Sequence, residues 1–147
     1  GKTVVVTTSN GTPLIRLGIR RSRLLLVGGL VNNEACASMA GELAAGWRAD
    51  VKILIPRTPY GECIEDLYAA GLMVRHLSNM GFTPRWDAAR IALLLSEAPK
   101  QRMLEEMRNS QSAIRVRELG YRDDVEYSLQ LDVTSTVPVA RGSWIAL

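Results

Sequence analysis

The chain has 147 residues but only one histidine, two cysteines and one phenylalanine. The single histidine, His76, excludes sites that need two imidazoles, such as HExxH zinc centres. Cys36 and Cys63 are too few for a disulfide framework, and their spacing matches no zinc or redox motif. Any metal site is therefore expected to use oxygen ligands, and a reducing cytoplasm is the expected location.

Aromatic residues and long apolar runs are also scarce. The 3 Trp, 4 Tyr and 1 Phe are about as many as one core uses, so the net charge of +3 makes a weak case for nucleic acid. The longest apolar stretch, from Leu24 to Val31, is broken by two glycines and is far shorter than the ~20 residues that cross a bilayer. Neither a nucleic acid nor a membrane is expected as a partner.

The remaining composition is that of an ordinary globular domain. Apolar residues make up 47% and charged residues 22%, which excludes disorder, collagen and a coiled coil. The length suits a single α/β domain over residues 1–147. Because the chain enters an apolar run directly after Gly1 and Lys2, it reads like a chain entered midway.

The apolar pattern predicts three strands, each followed by a helix. The strands are residues 4–8, 24–27 and 51–55, and the helices are residues 13–21, 35–44 and 62–80. Alternation of this kind implies parallel pairing with right-handed crossovers, and hence a three-layer α/β/α sandwich with a mostly parallel sheet. The later pattern predicts helices over 87–96, 99–108, 110–119 and 123–129, followed by extended segments over 137–142 and 143–147.

Ligands of open parallel sheets bind where strands lead into helices. The first such loop contains Ser9, Asn10, Gly11 and Thr12, whose hydroxyls and following amides offer donors to an anion. An ordinary N-capped turn explains the same residues equally well. No GK[ST] follows, so this is not a Walker motif.

Two further loops carry polar residues. Asn32 follows a Gly-Gly break and suits either a phosphate contact or a helix cap. Glu62, Glu65 and Asp66 follow a Pro-Tyr-Gly turn and share one helix face. Such carboxylates hold Mg²⁺ or act as acid and base, although acids in a first turn also simply complement the helix dipole.

Other reactive side chains have simpler interpretations. His76 falls at an apolar spacing and is predicted to be a partly buried helix residue. Cys36 lies among small residues and is predicted to pack, and Cys63 has no neighbouring histidine to activate it as a nucleophile. The basic run 20–23 suits a solvated helix end, and Asp123 with Asp124 resembles a capped turn as much as a metal site.

Three segments, in order, resemble the 2-phosphosulfolactate phosphatase family. They are VVVTTSNGT at 4–12, LVGGLVN at 26–32 and IEDLYAAG at 64–71. The family pattern has a strand ending in T-S/T-N-G-T, a strand leading to an Asn, and a helix beginning E-D and reaching A-G. The tail agrees as well, with Ser110 to Tyr121, Asp123-Asp124 and Val137-Pro138 resembling the S…LxELGY…DD…VP ending.

The resemblance implies Mg²⁺-dependent removal of phosphate from (R)-2-phospho-3-sulfolactate, a small acidic substrate, in the route to coenzyme M. Family members carry a further N-terminal half, so this chain looks like the C-terminal half. Arg57 stands where the family loop usually has a Cys-Ala-Gly type sequence, and it adds a cation near the expected site.

Phosphate monoester hydrolysis needs donors for the anionic oxygens, a divalent cation and a carboxylate that orients the attacking group. The hypothesis is that residues 9–12 and Asn32 hold phosphate, while Glu65 and Asp66 hold Mg²⁺ or position water. The alternative is a non-catalytic, anion-binding half that needs a missing N-terminal half. A homo-oligomer or that missing half is the expected protein partner.

Overall fold

The structure is a computed structural model that describes residues 5, 8, 10–58, 61–142 and 144–146. Seven helices of this part are α1 Gly11–Arg21, α2 Asn33–Trp47, α3 Ile64–Asn79, α4 Asp87–Ser96, α5 Lys100–Arg108, α6 Gln111–Glu118 and α7 Arg122–Ser128. Its strands are β1 Leu25–Leu26, β2 Arg57–Thr58, β3 Gly61–Glu62, β4 Val139–Arg141 and β5 Trp144–Ala146. The described chain is therefore mixed α/β, with helices predominating.

Every helix predicted from the sequence is present, because each rests on local signals. Helix α4 has the predicted bounds, and α3 begins at Ile64 with Cys63 as its N-cap residue. Helix α1 begins at Gly11, where the Thr8 hydroxyl accepts hydrogen bonds from the backbone N–H groups of Gly11 and Thr12. The N-capped turn considered as the alternative for this loop is therefore present, and the Thr8 hydroxyl is its capping group.

The described strands do not form the expected parallel sheet. Strand β4 pairs with β1 and β5, and β2 pairs with β3, all antiparallel. Leu25 lies opposite Ala140 in this register. The predicted strand 4–8 lies largely outside the described residues, and 51–55 belongs to no strand. A strand needs a hydrogen-bonded neighbour, and none of the described segments pairs with 51–55.

The core is built around α3. A cluster of buried side chains joins its inner face to α5, α6 and α7, comprising Leu30, Tyr68, Ala69, Leu72, Met103, Met107, Ala113, Val125 and Leu129. On another face α3 meets α4 so closely that a Cβ on Gly71 would overlap the Ala92 carbonyl oxygen. These contacts fix the N-terminal turns of α3 and α6 relative to each other.

The simpler interpretations of His76 and Cys36 agree with their surroundings. His76 is half-buried, and its Nε2 lies 2.9 Å from the Ser38 hydroxyl. Cys36 is buried, and burial raises the pKa of its thiol. None of the helices in the described part of the chain combines the length and the apolarity needed to cross a bilayer.

Candidate functional site

Two carboxylates stand at the first turn of α3. Glu65 and Asp66 follow the N-cap residue Cys63, and the buried face of the same helix starts at Tyr68. The Glu65 Oε2 atom is buried, and no described residue forms a hydrogen bond with it. Burial raises the pKa of Asp66 to about 6, and the neighbouring Glu65 charge adds to this. An orphaned carboxylate oxygen and a carboxyl that titrates near neutrality therefore lie side by side.

The first cavity, which we call the carboxylate cavity, has a volume of about 480 Å³. Side chains of the core cluster and several polar groups line it together. Its lining comprises Gly29, Leu30, Glu65, Asp66, Ala69, Met107, Ser110, Ser112, Ala113, Val116, Asp124, Val125, Ser128 and Leu129. Three carboxylates therefore line this cavity, and no Lys or Arg is among the lining residues of the described chain.

The second cavity, the arginine cavity, has a volume of about 850 Å³. It is lined by Asn10, Thr58, Glu62, Cys63, Ile64, Glu65, Ser110, Gln111, Ser112 and Arg115. Most of these residues lie at the N-terminal ends of α1, α3 and α6, where backbone N–H groups lack partners within the helix. Glu65, Ser110 and Ser112 line both cavities, so the two cavities adjoin at these side chains.

Helix α6 brings a hydroxyl, an amide and a guanidinium to the arginine cavity. Ser110 caps the helix, because its hydroxyl accepts a hydrogen bond from the Ala113 N–H at 3.2 Å. Ser112 and Arg115 are three residues apart and share a helix face. The Ser112 hydroxyl lies 3.8 Å from the Cys63 sulfur, which links the first turns of α6 and α3. Burial is the main cause that raises the pKa of the Cys63 thiol.

The structure places the residues of the predicted phosphate loop only partly in this site. Asn10 lines the arginine cavity, whereas Ser9 lies outside the described residues. The N–H groups of Gly11 and Thr12 donate to Thr8, at 2.9 and 3.1 Å. An anion at this helix end would have to replace the Thr8 hydroxyl as their acceptor.

Asn32 and Arg57 do not line either cavity. Asn32 is buried, its Oδ1 accepts from the Gly29 N–H at 2.8 Å, and its Nδ2 donates to two backbone carbonyls. Its amide therefore positions Gly29, which lines the carboxylate cavity. Arg57 is largely exposed and forms an ion pair with Glu62 at 3.1 Å.

Several polar lining residues were not singled out as site residues from the sequence. Ser110 caps α6, Ser112 and Arg115 lie within it, and Asp124 belongs to α7; the first three follow Glu65 by about forty-five to fifty positions. The acidic pair at 123–124 was visible but had an equally good interpretation as a capped turn. No local pattern shows that these helices converge on α3, because convergence depends on tertiary packing.

The carboxylates suit a hard divalent cation. Mg²⁺ prefers oxygen ligands and is commonly held by one or two carboxylates together with waters and substrate phosphate. The partnerless Glu65 oxygen and the adjacent Asp66 are donors of that kind. No group of three or more His, Cys, Asp or Glu side chains among the described residues is arranged to hold a metal ion. The described part of the chain would therefore supply two carboxylates to the cation, without completing its coordination.

These features define a mixed α/β protein in which two first-turn carboxylates, Glu65 and Asp66, lie beside a cavity lined by helix N-termini and Arg115. A sequence model of 2-phosphosulpholactate phosphatase matches residues 1–143, so the chain belongs to that family. The resemblance seen in the sequence is thereby confirmed.

Curated relatives carry the same name. A probable 2-phosphosulfolactate phosphatase of Thermus thermophilus is 32% identical over 142 residues, covering 97% of this chain and 58% of the relative. The 2-phosphosulfolactate phosphatase of Methanothermobacter thermautotrophicus is 31% identical, covering 100% of this chain and 60% of the relative. A probable one of Deinococcus radiodurans is 30% identical, covering 94% and 56%. The chain thus spans less than two thirds of the length of these relatives.

Proposed function

We propose that this chain carries the carboxylate site of a Mg²⁺-dependent phosphatase acting on a small acidic phosphomonoester of the 2-phosphosulfolactate type. The observation that carries the proposal is the position of Glu65. Glu65 lines both the carboxylate cavity and a cavity lined by helix N-termini and one arginine, and its buried Oε2 has no hydrogen-bond partner among the described residues. Hydrolysis of a phosphate ester requires a cation site and an anion site in contact, and in this proposal the junction of the cavities supplies both.

In this proposal Glu65 and Asp66, both ionised, would hold the cation or position the attacking water. Mg²⁺ would neutralise charge on the phosphate and polarise its oxygens. Burial raises the pKa of Asp66 to about 6 in the metal-free chain, and a bound cation would favour the ionised carboxylate. Apolar core side chains line the same cavity as these carboxylates.

Residues 9–12 keep the phosphate-binding role proposed from the sequence, with Asn10 facing the arginine cavity. The roles proposed for Asn32 and Arg57 become indirect. Asn32 holds Gly29 in place, and Arg57 neutralises Glu62 at the edge of the arginine cavity. Neither side chain needs to leave its present partner in this scheme.

The test is phosphate release from a phosphomonoester, with and without Mg²⁺, by the unmodified chain and by Glu65→Gln and Asp66→Asn variants. Both variants should lose at least about a hundredfold in turnover, since each removes a charged group that acts on the reacting atoms. Glu42→Gln is the matched control, because Glu42 is exposed on α2. Retained Mg²⁺-dependent turnover in Glu65→Gln would contradict the proposed site.

The same assay separates catalysis from the alternative of a non-catalytic half. It is run with the chain alone and with the additional N-terminal part of a full-length relative. Turnover by the chain alone refutes the non-catalytic module, whereas turnover that requires the added part shows that the missing half is a partner. Absence of turnover in both arms, under conditions where a full-length relative is active, would refute the phosphatase proposal.

We also propose that the complete protein contains the mostly parallel sheet of a three-layer sandwich. Strand β1 pairs on one side only within the described chain, and residues 51–55 alternate between half-buried and exposed side chains. This alternation is typical of a strand with one covered face. The cytoplasm, proposed from the cysteine content, and a homo-oligomer remain parts of the proposal.

A further inference from the structure

We infer that Arg115 determines specificity by binding a second acidic group of the substrate, beside the phosphate. This inference rests on the proposed phosphatase function and names the residue that would recognise an acidic substrate. Arg115 was not a candidate from the sequence. The residue proposed there as the additional cation, Arg57, is 75% exposed and paired with Glu62.

The first argument is the distribution of charge. Among the described residues that line either cavity, Arg115 is the one Lys or Arg side chain. It has no ion pair with a described residue, since the pairs there join Arg57 to Glu62, Arg85 to Asp50 and Arg108 to Glu126. Its positive charge is therefore available to a ligand.

The second argument concerns the acidic residues that share the arginine cavity. Glu62 is already neutralised by Arg57 at 3.1 Å, and Glu65 is the carboxylate assigned to the cation. With both charges compensated, Arg115 and the N-terminal ends of the surrounding helices leave this cavity favourable to anions. The carboxylate cavity, which has three acidic residues and no Lys or Arg in its described lining, is a poor place for a second acid.

The third argument is that α6 fixes the point from which the exposed Arg115 side chain extends. Ser110 caps the helix, and Ala113 is buried in the core, so the face carrying Ser112 and Arg115 is fixed relative to Glu65. Ser110 and Ser112 lie at the junction of the cavities, and Arg115 lies one turn further along the helix. A phosphate at the junction would leave a neighbouring carboxylate or sulfonate within the arginine cavity, where a guanidinium can bind it with two hydrogen bonds.

The experiment compares two phosphomonoesters of similar size, 2-phosphoglycolate, which carries a carboxylate, and ethyl phosphate, which does not. Arg115→Gln should raise KM for 2-phosphoglycolate by about tenfold or more, with kcat unchanged, and should raise KM for ethyl phosphate far less. Arg115→Lys should raise KM for 2-phosphoglycolate less than Arg115→Gln does, since lysine keeps the charge but cannot form the bidentate hydrogen bonds of a guanidinium. Arg117→Gln is the matched control, because Arg117 lies on the same helix but lines neither cavity.

The outcomes separate this inference from the proposed function. If KM is unchanged for 2-phosphoglycolate, or rises equally for both esters, Arg115 does not recognise the second acid. If the unmodified protein hydrolyses neither ester, with or without the added N-terminal part and under conditions where a full-length relative does, the proposed function fails. Binding of malate, which has two carboxylates and no phosphate, then tests Arg115 alone. Weaker malate binding in Arg115→Gln than in Arg117→Gln supports the inference, and equal binding overturns it.

Discussion

Two polar side chains near the site, buried Asn32 and half-buried Glu65, differ in whether their hydrogen bonds are satisfied. Asn32 uses its amide oxygen and nitrogen on Gly29, Val27 and Thr136, so it serves the fold. Glu65 has a buried oxygen without a partner among the described residues, which costs free energy unless a ligand compensates it. The unsatisfied group, rather than the satisfied one, is therefore the better indicator of function.

At the residue scale, Asp66 makes the stability of the metal-free protein depend on pH. Its folded pKa of about 6 lies above the ordinary value of 3.8, so the folded state holds a proton that the unfolded state has lost between these values. Stability should therefore fall as pH rises from about 4 to about 6. Asp66→Asn removes this effect and should be more stable than the unmodified chain at pH 8 by about 1 kcal/mol, allowing for solvent screening and lost helix-dipole energy.

Urea unfolding with a chelator present, at pH 4 and pH 8, measures this difference. Asp123→Asn is the control, because Asp123 is an exposed first-turn acid of α7 and has only the helix-dipole contribution to lose. It should be no more stable than the unmodified chain at pH 8. The same loss of stability with pH in Asp66→Asn as in the unmodified chain would show that another group is responsible.

At the scale of elements, the packing of α3 against α4 depends on a glycine, which has no side chain. Gly71 allows α3 to approach the Ala92 carbonyl so closely that a Cβ would overlap it. The overlapping atom is backbone, which cannot move aside as a flexible side chain can. This contact supports the helix whose first turn carries Glu65 and Asp66.

We expect Gly71→Ala to lower the free energy of unfolding by about 3 kcal/mol or more, because α3 and α4 must separate to admit the methyl group. Gly46→Ala in α2 is the matched control, because a Cβ there meets no atom within 4 Å. That variant should gain about 0.5 to 1 kcal/mol from better helix propensity. Equal stability of the two variants, measured by chemical unfolding, would contradict the close approach of α3 and α4.

At the scale of the whole molecule, the sheet is the feature on which sequence pattern and described structure differ. The pattern predicts parallel strands, whereas the described strand pairs are antiparallel and 51–55 pairs with none of the described segments. Backbone N–H and C=O groups without hydrogen bonds are unfavourable when other residues bury them. We therefore expect this segment to be paired in the complete protein.

Hydrogen exchange tests the pairing. In a protein that includes the additional N-terminal part, amides within 51–55 should exchange at least about a hundredfold more slowly than those of Thr83 and Arg85, which lie outside any helix or strand between α3 and α4. The slow exchange follows from ladder hydrogen bonds that open only with the sheet. Comparable exchange in the two segments would refute the proposed strand.

By itself, the sequence determined the helices, the acidic first turn at Glu65 and Asp66, and the family, since each depends on residues close in the chain or on motif order. Only the tertiary structure decided that α6 and α7 bring Ser112, Arg115 and Asp124 to the same site. It also decided that Asn32 and Arg57 are held by other partners. Local periodicity fixes which face of a helix is buried, but the packing of distant helices decides which side chains meet.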